Sequence, residues 1–274
     1  MVTKFQNHLN KSGLSRNTVA SYVWTVNYFL AHYERIDKEN LTAYKGWLIE
    51  HFKPQTVNLR LQALNKYLDF IGRNLPDGEA GGLKVKFVKV QQKNFLENVV
   101  SDADYKFLKT KLKADGYTEW YFVVWFLTAT GARISELLQI KAEHVEAGYL
   151  DMYTKGGKIR RLYIPKTLRN EAAKWLKECC CVSGYIFRNR FGERITARGV
   201  SGQLKHFAER YGLNPKVIYP HSFRHRFAKN FLDKFNDIAL LADLMGHESI
   251  ETTRIYLRRT ASEQQSIVDK VVTW

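Results

Sequence analysis

Apolar residues between Leu14 and Glu34 fall at helical spacing. Val19, Tyr22, Val26, Phe29, Leu30 and Tyr33 mark one face, with polar residues between them. Ser15 stands just before the run and supplies the short polar side chain that caps a helix start. Residues 41–52 and 53–72 repeat the pattern, with Pro54 suited to a first helical turn and Gly72 to a stop. Residues 1–72 therefore predict a small helical bundle. The period is lost over 74–95, where Pro76, Gly78, Gly81 and Gly82 follow in quick succession and a basic extended stretch runs over 84–93. This predicts two domains, 1–83 and 100–274, joined by a basic linker at 84–99.

The second domain opens on a capping pattern, "SDADYKFLKTKL" (101–112). The most apolar stretch follows, "YTEWYFVVWFLTATGARISELLQI" (117–140), read as a buried helix, a break near Gly131 and a second helix. "GYLDMYTKGGKIRRLYIP" (148–165) has two β-rich runs around Gly156 and Gly157, the signature of a hairpin. "GYIFRN" reads as a further short strand. Helical patterns cover "KTLRNEAAKWLKECC", "TARGVSGQLKHFAERYG", "PHSFRHRFAKNFL", "NDIALLADLMGHESIETTRIYLR" and "SEQQSIVDKVV". The fold class is mainly α with a small β-sheet (α+β): an N-terminal helical bundle and a mostly helical second domain carrying a β-hairpin.

Charge changes this picture. The chain carries +16, and the excess is not a tail: residues 1–95 hold 14 Lys/Arg against 7 Asp/Glu, and 96–274 hold 29 against 20. A basic surface on both domains fits a polyanion, either nucleic acid or an anionic membrane, although a merely soluble basic protein shares the composition. No window approaches the roughly 20 apolar residues of a membrane span, and the N-terminus lacks the apolar run of a signal peptide. Cys179, Cys180 and Cys181 stand side by side at a predicted helix end. With no partner motif elsewhere they form neither a disulfide framework nor a zinc site, as expected of a reduced, cytoplasmic protein.

The densest chemistry is at 221–226, where His221, Arg224, His225 and Arg226 crowd the start of an apolar helix. Such groups repel one another, so an anion is expected among them. Arg133 lies just after the apolar helix, with Glu136 one turn on to orient it; Lys155 and Lys158 flank the hairpin turn; His247 follows Gly246; Tyr256 comes nine residues later. Singly, each has a structural explanation: an ion pair, a solvated lysine, a capping histidine, a core tyrosine. The His221/His225 spacing also resembles a metal pair, but no third ligand is evident and the cationic neighbours oppose a cation. Taken together, the set has another use. Two arginines grip the non-bridging oxygens of a phosphate, a histidine and a lysine move protons, and a tyrosine supplies an oxygen nucleophile. A phenol with a pKa of about 10 would need a base or cationic surroundings to attack. Arginines can do the charge work, so neither metal nor cofactor is expected.

These segments resemble the tyrosine recombinases of the phage-integrase family. "TGARISEL" is similar to the family's first arginine box, "TKGGKIRRLYIP" to its hairpin lysine motif, "HSFRHRFAKNF" to its His-x-x-Arg-His box, "LMGHES" to its Leu-Gly-His motif and "TTRIYLR" to its nucleophile segment. "LSRNTVASYVWTVNYFL" resembles its helical core-DNA-binding domain. The resemblance implies Tyr256 as the nucleophile forming a 3′-phosphotyrosyl link, and Arg133 and Arg224 as the phosphate clamp. It gives His221 the protons at the nucleophile side and makes His247 a phosphate ligand. Lys155 becomes the general acid, Lys158 the weaker candidate, and Glu136 a support for Arg133. Arg226 stands where the family more often has a small polar residue and is expected to add a contact to the DNA backbone. The resemblance further implies a C-shaped clamp on double-stranded DNA, a tetramer on paired sites, and exchange of the C-terminal segment, 262–274, between protomers. With its helical domain starting near residue 1, the chain suits a simple recombinase of Xer-like size without an arm-site-binding domain. A type IB topoisomerase-like relaxing enzyme or a catalytically silent DNA-binding protein would share parts of this set.

Overall fold

Phase and burial together decide which predicted helices form and where they end. In the computed structural model, which describes residues 1–74, 83–90, 99–153, 159–257 and 268–272, the chain divides into two compact units, Met1–Gln92 and Lys93–Trp274. The first holds α1 (Val2–Lys11), α2 (Arg16–His32), α3 (Lys38–His51) and α4 (Pro54–Asn74). Ser15 caps α2 by accepting from the Thr18 amide, and Asp37 caps α3 through the Asn40 amide. The apolar faces close on a core that includes Phe5, Leu9, Val26, Phe29, Tyr44, Leu48, Leu61 and Leu64. Gly72 does not stop its helix: α4 continues to Asn74, because Leu68 and Ile71 are buried there and offset the roughly 1 kcal/mol helical cost of a glycine.

The basic stretch expected to link the domains begins against α4. Asn65 pairs with both backbone groups of Val85, accepting from its N–H at 2.9 Å and donating to its C=O at 3.0 Å. Asn58 does the same with Val88, at 2.8 and 3.0 Å. The spacing explains the match. Seven residues of helix rise about 10.5 Å, and three residues of extended chain span about 10 Å. Val85 is buried, while Lys84, Lys86 and Lys89 face outward. Asn65→Leu should free this extended stretch locally, at about 1–3 kcal/mol for the orphaned backbone pair. Faster amide exchange at 85–88, with α1–α3 unchanged, is the expected readout.

The second unit contains α5 (Asp102–Ala114), α6 (Thr118–Thr130), α7 (Ile134–Leu137), α8 (Ala142–Ala147), β1 (Tyr149–Tyr153), β2 (Ile159–Tyr163), α9 (Lys166–Glu178), α10 (Ala197–Arg210), α11 (Pro220–Lys234), α12 (Ile238–Met245) and α13 (Glu251–Arg254), then a 3₁₀ turn, Ile255–Leu257. α6 is apolar on all sides and lies in the core against α5, α9 and α11. Strands β1 and β2 pair antiparallel from Tyr149 opposite Tyr163 to Tyr153 opposite Ile159. The hairpin turn, with Lys155 and Lys158, lies outside the described residues, as does most of the C-terminal segment at 262–274. "GYIFRN" is not a strand. Tyr185 and Arg188 make single bridges to Lys141 and Arg194, and Ile186 and Phe187 are buried in succession rather than in alternation. Among the described residues no helix is long and apolar enough to cross a membrane.

Candidate active site

Two helix ends build the floor of the site. α6 stops at Gly131 and α12 at Gly246, both left-handed, with φ of 62° and 61°. A side chain at either would be strained and obstructed: a Cβ on Gly131 would sit 2.4 Å from the Phe227 ring, and one on Gly246 would sit 2.4 Å from the Arg160 side chain. The last carbonyls of a helix have no partner inside it and carry its negative pole. Here arginines take them. Leu244 O receives Arg160 through Nε at 2.9 Å, Met245 O receives Arg224 at 2.6 Å, and Gly246 O receives Arg133 at 2.9 Å. Arg224 also reaches Gly131 O at the end of α6, at 2.6 Å.

Glu136 sits among the same arginines. It caps α7 by accepting from the Arg133 amide at 2.7 Å, and it accepts from the guanidinium groups of Arg133 at 2.8 Å and Arg160 at 2.6 Å. Arg224 lies 3.9 Å away. Burial works to raise the Glu136 pKa, but Arg160 and the hydrogen bonds from Arg133 outweigh it and hold the carboxyl below its usual value. Arg160 and Arg224 are both buried, Arg224 to 1% exposure, and burial lowers both pKa values, that of Arg224 to about 10. Three guanidinium groups against one carboxylate leave two positive charges at this point of the fold. That excess suits a phosphodiester, and suits better the dianionic geometry through which a phosphoryl group is displaced. Beside it opens a cleft of about 1200 Å³, lined by Arg133, Arg160, His247, Glu248 and the hairpin residues Tyr153 and Ile159.

The histidines and the tyrosine complete the cluster. His247 Nε2 lies 3.1 Å from Arg224 Nη2, and its Nδ1 lies 2.7 Å from Thr253 Oγ1. An arginine can only donate, so Nε2 accepts and Nδ1–H donates to the threonine. Burial, then Arg224, Arg133 and Arg160, pushes the His247 pKa down to about 4, so the ring is neutral as this pairing requires. Tyr256, on the 3₁₀ turn, packs against Ala228, Leu232, Leu241 and Met245. Its hydroxyl lies 3.0 Å from Nδ1 of His225. His221 is exposed and meets the His225 ring edge to face, with centroids 4.4 Å apart. Partial desolvation of the ring, then the neighbouring Arg224 and Arg133, lowers its pKa.

The fold thus brings Arg133, His221, Arg224, His247 and Tyr256 to one place, from the start of α7, from α11, from the end of α12 and from the 3₁₀ turn. Tyr256 rests protonated: burial, only partly opposed by Arg224 and Arg133, pushes its pKa up to about 12. One expectation changes. Arg226 does not face outward for a DNA backbone. It is buried, ion-paired with Asp102 and laid over the Tyr105 ring at 4.7 Å, because its side chain leaves α11 toward α5. The sequence reading missed Arg160 and gave His225 no role beyond a metal pair. Strand alternation could have found the first, since Arg160 shares the inward face with Leu162. For His225 the signal was its place one turn after His221.

Comparison with known proteins gives the class. Residues 98–263 match the phage integrase family, and the chain belongs to it. It is an enzyme of the tyrosine-type site-specific recombinases, which cleave and rejoin DNA through a phosphotyrosyl link. The tyrosine recombinase XerA of Pyrococcus furiosus is 30% identical over 278 residues, covering 98% of this chain and 93% of that protein. The tyrosine recombinase XerD of Staphylococcus haemolyticus is 25% identical over 268 residues, covering 90% and 89%. Among solved structures, the XerH site-specific recombinase bound to its difH substrate before cleavage superimposes with a TM-score of 0.68. It is 22% identical and shares the fold over 91% of this chain and 79% of that one.

Proposed function

We propose that this enzyme exchanges strands between two DNA duplexes, with Tyr256 as the nucleophile. The Tyr256 oxygen bonds to the scissile phosphorus, the bond from phosphorus to the 5′ oxygen breaks, and that oxygen takes a proton from Lys155, with Lys158 the alternative donor. Arg133 and Arg224 hold the non-bridging oxygens, Arg160 and Glu136 fix those arginines, and His221 serves the nucleophile side. His247 reaches the phosphate by giving up one of its two present partners. One phosphate ester replaces another, so neither ATP nor metal is consumed. The reading rests on one observation: the Tyr256 hydroxyl, reached 123 positions after Arg133, lies within the cluster that Arg224 and His247 share.

In this reading the N-terminal helical domain, 1–83, and the basic linker, 84–99, bind duplex DNA. The catalytic domain, 100–274, assembles as a tetramer on paired sites in the cytoplasm, and 262–274 exchanges between protomers. The reaction runs as integration, excision, inversion or resolution according to the sites supplied.

A nicked suicide substrate should trap the protein covalently through the peptide holding Tyr256, and should do so equally in EDTA. Exchange should require two marked duplexes. Adduct formation that disappears in EDTA, or relaxation of a single duplex without exchange, would overturn this reading. Arg224→Lys should keep DNA binding but lower the rate of adduct formation about 10²- to 10³-fold, the effect of removing one preorganised donor. The ammonium cannot span Gly131 O, Met245 O and His247 at once. A wild-type rate would remove Arg224 from the clamp.

A further inference from the structure

Helix α11 carries the candidate site on one side and a clasp on the other. Ser222 and Arg226 stand one turn apart on it. Ser222 Oγ accepts from the Val100 amide at 2.8 Å, and Arg226 is ion-paired with Asp102 at the start of α5. At 3.6 residues per turn, Arg224 lies about 160° around the helix from both. Resting on the reading of Arg224 as a phosphate clamp, we propose that Arg226 is a positioning residue: by fastening the back of α11 to Asp102, it sets where Arg224 stands at the scissile phosphate.

The segment that holds α11 is itself held. Val100, Ser101 and Asp102 are consecutive; the first and third bind α11, and Ser101 caps α5 by accepting from the Asp104 amide at 3.0 Å. Tyr105, one turn further along α5, lies under the Arg226 guanidinium at 4.7 Å. Two anchors about 6 Å apart along the axis of α11 resist both its rotation and its sliding. Either motion would be felt on the far side. Arg224 reaches Gly131 O and Met245 O, both at 2.6 Å, and a roll of α11 would change which of them its donors meet.

Packing alone does not call for a cation at this place. The Arg226 side chain is 8% exposed and that of Asp102 is 66% exposed, so a buried guanidinium is paired with a carboxylate in water. An apolar side chain of similar length would fill the same space without desolvating a charge. What the ion pair adds is a directed contact between α11 and the start of α5.

Arg226→Met keeps the length of the side chain and removes that contact. With full-length protein and saturating suicide DNA, adduct formation should fall about 10²-fold, the effect of a displacement of about 1 Å, with gel-shift affinity retained. Asp102→Ala leaves the buried cation unpaired and should lower stability. Combining it with Arg226→Met should restore the stability but not the rate, whereas a merely structural role predicts that both recover together. The deficits at 224 and 226 should also fail to multiply. In an Arg224→Lys background, Arg226→Met should slow the reaction no further, because the group it positions is already gone. A wild-type rate for Arg226→Met, a double variant whose rate recovers with its stability, or independent deficits at 224 and 226 would each overturn the proposal. A wild-type rate for Arg224→Lys alone would instead remove the clamp reading on which it rests, a separable result.

Discussion

Tyr256→Phe should form no covalent adduct with suicide DNA while binding it as the wild type does. The change removes one oxygen, the only atom of that ring able to attack phosphorus. The ring itself stays useful. It packs among Ala228, Leu232, Leu241 and Met245, and phenylalanine keeps those contacts. The hydroxyl's one hydrogen bond in the described structure is to His225, so its loss should lower the free energy of unfolding by no more than about 0.5–1.5 kcal/mol. Chemistry and stability are therefore expected to separate cleanly. A protein–DNA adduct surviving in this variant, mapped to another residue, would end the assignment.

Glu136→Ala should have the largest effect on stability. One carboxylate accepts from the Arg133 amide and from two guanidinium groups, and sits 3.9 Å from a third. Arg160 is 6% exposed, and its remaining partner in the described structure is Leu244 O. Without Glu136 that buried cation loses its counter-charge beside two other cations. Removing one partner of a buried pair costs about 3–5 kcal/mol, much of it from the charge left behind. Denaturant titration of the full chain should show the loss in the transition of the catalytic unit. Glu136→Gln should be milder, because the amide oxygen still accepts while its NH₂ now points at arginines. Adduct formation should fall in both, since Arg133 loses the group that orients it. If Glu136→Ala were as stable as the parent, the arginine cluster would be held by helix ends alone.

The chemistry-bearing groups were legible because they are rare in context. Cations at the head of an apolar helix, a glycine before His247 and a tyrosine after it stand out in any reading of the residues. What those cations meet was not legible. The expected anion is in part the protein itself: Arg224 meets the carbonyls of Gly131 and Met245 and lies 3.9 Å from Glu136, while the neighbouring Arg160 and Arg133 take the carbonyls of Leu244 and Gly246. Backbone oxygens have no letter in a sequence, and these come from two helices that meet only on folding. Arg226 shows the converse error, since a charged letter read as surface turned inward to Asp102.

The sequence by itself determined most of the described helices, the two paired strands, and the list of groups able to act on a phosphate. Hydrophobic period and residue chemistry are local properties, carried by each stretch of chain. Tertiary structure alone decided which arginines are buried, which histidine holds the tyrosine, and that the Tyr256 phenol rests protonated. Those outcomes depend on desolvation and on distances between residues far apart in sequence, and neither exists until α6, α11, α12 and the 3₁₀ turn pack together.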